Sequence, residues 1–340
     1  MKNGIAKSRR EFLRDCAIGA LTAGASRYAF ADERKINPPG AAAAKSKVVI
    51  ARDATLYGSS SSPDFSRVQK LLDEAMQHFF QTSDPVSPWK KIVRPGEVVG
   101  LKVNSIAGFG LSTHPVLIAA ICERLQQVGV KANNIIVWDR TNDELDRAGF
   151  RVSNDSNRVR FVGTDSKEIG YDEIIFTAVS TRTRLSNLLT RACDCMINVP
   201  ILKHHDMSGV TLALKNMYGV NNNPRDFHAN NCCPGVADLN TLTPIRSKFR
   251  FVVGDAMTSC FAGGPGYKPQ YAWKYNGIMV ASDPVAIDYT AWQIIEKKRA
   301  EVGLPTLAQA GTPPKYIAVA TDLQHRLGTN DPSRIDLVEV

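Results

Sequence analysis

The sequence lacks an apolar run long enough to span a bilayer, a Lys/Arg block interleaved with aromatic residues, a pair of C-x-x-C motifs and any internal repeat. A membrane-spanning helix needs about 20 consecutive apolar residues, so no permanent membrane anchor is expected. The scattered basic residues lack the footprint of a nucleic-acid binder. Seven cysteines in 340 residues are too few and too widely spaced for a disulfide scaffold, and their spacing matches neither a structural zinc site nor a ferredoxin. What is present, 44% hydrophobic and 22% charged residues, is the composition of a soluble globular protein.

Nearly half of the formal charge of +9 lies in the N-terminal segment. Residues 1–31 carry six basic side chains against Glu11 and Asp15, so the remainder keeps only +5. Within this segment Ser8-Arg9-Arg10-Glu11-Phe12-Leu13 precedes a short apolar run, and Ala29-Phe30-Ala31 supplies small residues at the positions a signal peptidase requires. The pattern resembles a twin-arginine export signal. It predicts recognition by the twin-arginine machinery, cleavage after residue 31 and a periplasmic location. Six cysteines then remain, and the spacing of Cys193/Cys195 and Cys232/Cys233 leads one to expect a disulfide in an oxidising compartment.

Residues 32–46 read as a flexible linker and residues 47–340 as an α/β domain. Strands are predicted at Lys47–Ala51, Val98–Val103 and Ile135–Trp138, with helices from Asp64 and over Pro115–Val128. Short apolar runs follow at Ile174–Val179, Met196–Val199, Phe251–Val253, Ile278–Ala281 and Ile317–Ala320. Helical patterns cover Leu185–Ala192, Val210–Tyr218 and Pro284–Lys298. Strands alternating with helices predict mixed or mostly parallel sheets with flanking helices, in two lobes around a cleft, the boundary falling near residue 190.

The segment Ile197–His228 is richest in chemistry. A loop bearing Lys203, His204, His205 and Asp206 is followed by an expected helix whose apolar stripe is Val210, Ala213, Leu214 and Met217, and whose other face holds Thr211, Lys215 and Tyr218. Two lysines beside a helix N-terminus suit a carboxylate or phosphate. Each residue alone also fits a structural role, as a helix cap, a solvated lysine or a packed histidine; their gathering at one turn favours a site. Adjacent histidines in an extended segment point to opposite sides, so only one of His204 and His205 should enter it. Lys102, Asn104 and His114 follow another strand end, where α/β folds place ligands. Asp255 follows the strand Phe251–Val253 and suits a metal or a histidine; Asp283, before Pro284, reads as a helix cap.

The motifs L-K-V-N (101–104), T-H-P (113–115), V-P-I-L-K-H-H (199–205), V-T-L-A-L-K-N-M-Y-G (210–219), G-D-A-M (254–257) and A-S-D-P-V-A-I-D (281–288) resemble domain-of-unknown-function family 362, from about Val48 to Ile287. The iron–sulfur segment of some relatives is missing. More distantly, His114, His205, Lys215 and His228 are similar in order and type to a set in lactate racemase-like proteins, where a two-lobed α/β fold surrounds a nickel-containing cofactor.

The expectation is therefore an exported protein acting on a small anionic substrate, with isomerase, racemase or hydrolase chemistry assisted by a divalent metal or metal-containing cofactor. His114, His205, Lys215 and His228 are the candidate catalytic residues, and Lys102, Asn104, Lys203, Thr211 and Asn216 the candidate substrate-binding residues. His205, His228 and Asp255 are the candidate metal ligands. The alternative is a non-catalytic periplasmic binding or cofactor-carrier protein using the same basic cleft. No nucleic-acid partner is expected.

Overall fold

The structure, a computed structural model, describes residues 45–340; the expected export signal and most of the linker lie outside them. The first strand, β1 (Ser46–Arg52), is β-branched and alternates sides: Val49 and Ala51 enter one core while Val48 and Ile50 enter another. Helix α1 (Phe65–Phe80) is capped by Asp64, which accepts from Arg67 N, and buries Val68, Leu71, Leu72, Ala75 and Met76. Then come β2 (Val99–Val103), α2 (Pro115–Gln127), β3 (Ile135–Asp139), α3 (Asn142–Arg147) and β4 (Arg160–Gly163). Pro115 sits at the start of α2, where its missing N–H costs nothing.

The second half begins with β5 (Cys195–Val199) and β6 (Ile201–His205), separated by Pro200. A short hairpin strand, β7 (Gly209–Thr211), leads into the one-turn helix α4 (Ala213–Asn216). The long strand β8 (Phe249–Cys260), β9 (Ala272–Ala281), α5 (Pro284–Glu301), α6 (Lys315–Val319) and β10 (Ile335–Glu339) complete it.

Ten strands form one mixed sheet in the order β10-β1-β9-β8-β5-β2-β3-β4, with β6 paired to the outer half of β8 and β7 to β6. Pairs β8/β5, β5/β2, β2/β3 and β3/β4 are parallel, and β9 is antiparallel to both its neighbours. Every residue of β2, β3 and β5 is buried, as in parallel strands covered on both faces. Helices α1 and α2 supply one cover, with Leu72 and Leu117 against Val99, Val137 and Ile197; the opposite cover includes Leu214, Val236 and Tyr316 against Ile136 and Met196. The fold is thus α/β with mostly parallel strands and flanking helices. Because β5 inserts between β2 and β8, the sheet runs unbroken across residue 190, and Ala44–Val340 is one compact unit.

Three local expectations are corrected. Ile317–Ala320 belongs to α6 and its C-cap rather than to a strand. Val210 and Thr211 are in β7, because Gly209, at a φ of +73°, turns the chain back onto β6 before any helix starts. The cysteines pair nowhere: all six in the described residues are free and buried. Cys193 precedes β5 and Cys195 opens it, and the two enter opposite cores.

Candidate functional site

At the carboxyl ends of β2, β3 and β6 lies a cavity of about 350 Å³. This is the edge where parallel α/β sheets leave ligand space. Its lining includes Lys102, Asn104, Lys203, His205, Thr211, Lys215, Asn216 and His228, which are all five expected substrate-binding residues and three of the four expected catalytic ones.

The three lysines occupy different environments. Lys102, almost wholly buried, is paired with Asp139 at 2.7 Å and also donates to the Val103 carbonyl at 2.7 Å. The other Asp139 oxygen accepts from Ser105 N and Oγ at 2.8 and 2.7 Å. Gly219 permits this pair, since a Cβ there would lie 2.4 Å from Asp139 Oδ1. Lys203 has only neutral acceptors, Asn104 Oδ1 at 2.9 Å and the Leu111 carbonyl at 3.4 Å, and burial pushes its pKa down to about 8. Lys215 stands 3.3 Å from His228 Nε2 and 3.5 Å from the centre of the Tyr218 ring, and burial pushes it down to about 7.

The histidines are held neutral. Nδ1 of His228 donates to the Pro224 carbonyl at 2.7 Å, leaving Nε2 as an acceptor; burial and then Lys215 lower its pKa. Nδ1 of His205 accepts from Met207 N and Ser208 N at 3.1 and 3.4 Å, so its proton sits on Nε2. Burial, followed by Lys215 and His228, lowers His205 to about 2. His204, on the opposite side of β6, does not line the cavity, in accord with strand alternation.

An amide ladder fixes the floor. Asn104 Nδ2 donates to Asn216 Oδ1 at 3.1 Å, and Asn216 Nδ2 donates to Asn198 Oδ1 at 2.7 Å. Asn216 Nδ2 also donates to the Lys102 carbonyl at 3.2 Å, and Asn198 Nδ2 to the Ala213 carbonyl at 2.8 Å, so the ladder ties β2 and β5 to α4. Arg140 is paired with Glu144. Among the described residues, Lys203, Lys215 and the rim residue Arg225 are therefore the lining cations with no ion pair. Thr211 is 3% exposed, and its Oγ1 has no partner, a buried hydroxyl left for a ligand.

Two expectations fail geometrically. The helix N-terminus proposed as an anion site is occupied: Asp288 of α5 accepts from Ala213 N at 2.6 Å and Leu214 N at 3.2 Å. The expected metal set is not assembled, because Asp255 is bonded to His114 at 2.8 Å while His205 faces His228 with ring centroids 5.9 Å apart. Among the described residues no group of three His, Cys, Asp or Glu side chains is placed to hold a metal ion. His114 lines a different cavity. Sequence reasoning missed Asp139, Arg140, Glu144 and Arg225; the position of Asp139-Arg140 at the carboxyl end of a buried strand was the available signal.

Fold and site together define an α/β protein with a lysine-rich cavity at the carboxyl edge of its sheet. A family model described as Domain of unknown function (DUF362) matches residues 99–293, and the chain belongs to that family. A crystal structure of a Thermotoga maritima protein is similar at 10% identity with a TM-score of 0.37, over 65% of this chain and 54% of that one. This chain thus spans about half the length of that protein. No curated protein matches the sequence.

Proposed function

We propose that the protein is an enzyme that binds a small anionic substrate in the lysine cavity and moves a proton on it, as an isomerase or racemase does. The observation that carries this reading is the pairing of Lys215 with a neutral imidazole at 3.3 Å in a buried cavity whose two carboxylates, Asp139 and Glu144, are already paired with Lys102 and Arg140. A lysine poised near neutrality can give up or take a proton at working pH. Lys203, the Thr211 hydroxyl and Arg225 surround the same space and suit the negative charge of a carboxylate and of an enolate formed from it. In this reading Lys203 and Thr211 bind the anion, Lys215 and His228 exchange the proton, and Lys102, Asn104 and Asn216 hold the floor.

A metal ion held by protein side chains alone does not fit, since His205 and His228 offer two donors and Asp255 is engaged elsewhere. A metal-containing cofactor, as the likeness to lactate racemase-like proteins implies, would have to bring its remaining donors itself.

The test is solvent deuterium incorporation. Wild-type protein, incubated in D₂O with a panel of small 2-hydroxy and 2-oxo carboxylates, should label one of them, at C2 of a 2-hydroxy acid or at C3 of a 2-oxo acid. Lys215→Met should abolish labelling and weaken binding by roughly ten- to a hundredfold, the worth of a charge-assisted hydrogen bond. Binding without exchange across the panel would favour the carrier reading.

The export signal supports a periplasmic location, reached through the twin-arginine machinery with a mature N-terminus near Asp32. No helix among the described residues is long and apolar enough to cross a membrane. Arg9→Lys together with Arg10→Lys should leave the protein unexported on fractionation; normal periplasmic amounts would refute the route.

A further inference from the structure

The segment 105–113 separates the lysine cavity from a second one of about 500 Å³. Ile106 lines the first, while Phe109, Gly110 and His114 line the second together with Tyr57, Tyr267 and Trp273. The second cavity has its own titratable centre. His114 Nδ1 lies 2.8 Å from Asp255 Oδ2, and the same oxygen accepts from His114 N at 2.7 Å. Asp255 Oδ1 accepts from Met257 N at 3.1 Å. Asp255 is wholly buried, so its charge acts on the imidazole and the ring's Nε2 is left for the cavity.

Burial disfavours the imidazolium, and Asp255 outweighs it, holding His114 above its ordinary value. The other charged group lining this cavity is Lys274, whose Nζ lies 3.9 Å from the centre of the Tyr57 ring. Tyr57 itself is pushed up to about 12 by burial and stays neutral.

The mouth is aromatic as well. Phe109 is 70% exposed and Tyr267 45% exposed, and neither exposure is needed to complete a core. Gly110 makes room for Tyr267: a Cβ at that position would come within 2.4 Å of the ring. Flat walls of this kind bury a ring at low entropic cost and match its quadrupole edge to face.

We propose that this second cavity binds a planar aromatic carboxylate, the ring lying among Tyr57, Tyr267 and Trp273 and the carboxylate meeting His114 Nε2 and Lys274. Binding needs no covalent step. Where the imidazole is neutral beforehand, it takes one proton from solvent as the anion docks, and Nε2–H then donates to the carboxylate.

The experiment is calorimetric titration of the full chain with benzoate, cyclohexanecarboxylate and benzyl alcohol, each in two buffers of different ionisation enthalpy. Benzoate should bind about tenfold more tightly than either of the others, with fractional proton uptake wherever the free imidazole is partly neutral. His114→Gln should lower benzoate affinity about tenfold and remove the proton uptake. Trp273→Leu should erase the preference for benzoate over cyclohexanecarboxylate while leaving proton uptake in place. No benzoate binding at millimolar concentration overturns the proposal. So does benzoate binding that is lost in Lys215→Met and kept in His114→Gln, which would place the ligand in the lysine cavity instead.

Discussion

Lys215 Nζ and His228 Nε2 are 3.3 Å apart, and the tautomer that makes this contact is fixed from behind, because the Pro224 carbonyl accepts a hydrogen bond from Nδ1–H at 2.7 Å. The imidazole therefore offers Lys215 a lone pair. Protonated Lys215 donates to it; neutral Lys215 can receive a proton from a ligand and remain hydrogen-bonded throughout. This pair gives the cavity a pH-dependent charge.

Anion affinity should fall as pH rises. Burial sets Lys215 near 7 and Lys203 near 8, whereas a bound anion favours the ammonium form and raises both. Above these values each lysine must take up a proton for the anion to bind, so affinity drops by up to about tenfold per pH unit for each lysine involved. Titration of a small carboxylate between pH 6 and 9 checks this. Lys215→Met should remove the part of the dependence that begins near neutrality, and a flat profile in the wild type would contradict the buried, unpaired state of both lysines.

Asp288 should support Lys215 without touching the ligand. It is wholly buried, accepts from the first two amides of α4 and receives the Tyr316 hydroxyl at 3.0 Å. Asp288→Asn replaces one acceptor with a donor facing an N–H, which should cost about 2–3 kcal/mol of stability. Denaturant midpoints measure that loss. In the fraction that remains folded, anion affinity should weaken too, because α4 carries Lys215 and Asn216.

His325 bridges Asp238 and Asp322, at 2.8 and 2.7 Å. Burial disfavours its charge, but the bonds to the two carboxylates prevail and its pKa is raised in the folded state. A raised folded value means that the native protein binds a proton more tightly than the unfolded chain. The stabilisation is thus complete below the ordinary histidine value of about 6.5 and is lost as pH rises through the folded value. Thermal midpoints across this window should decline in the wild type, and the decline due to this group should vanish in His325→Gln.

All six cysteines of the described residues are buried thiols, and burial pushes Cys122 and Cys193 up to about 12 and Cys260 to about 11. Because the thiolate is the reactive form, a thiol reagent should react slowly with the native protein and reach all six of these groups after denaturation without reductant. Fewer than six in the denatured protein would reveal a bond the fold does not contain.

The sequence made legible what is local or strongly periodic. Asp64 and Asp283 were readable as caps, and each accepts from the amides that follow it; the buried runs of β2 and β3 stand where their apolar content put them. Val210 to Tyr218 misled because an apolar i, i+3, i+4, i+7 spacing says nothing about Gly209 closing a hairpin on β6. Lys203, His205, Thr211, Lys215 and His228 meet as read, since 26 residues of one strand, hairpin and turn carry all of them. The Lys102–Asp139 pair needed the β2/β3 register, and Asp288 needed α5 to pack across α4; neither follows from spacing. His114 went to another cavity because Asp255, on β8 two strands away from β2, claims its Nδ1.

The position of β1 sets an order of events. Its two neighbours are β9, residues 272–281, and β10, residues 335–339. During synthesis the first strand emerges with no partner and waits for more than two hundred further residues before either edge can pair. Its exposed apolar side chains are then in the chain's most vulnerable state, and a ribosome stalled before residue 272 would release a product with β1 unpaired. The sheet is therefore closed around β1 only after residues 335–339 have been made, and until then the strand lacks its parallel partner.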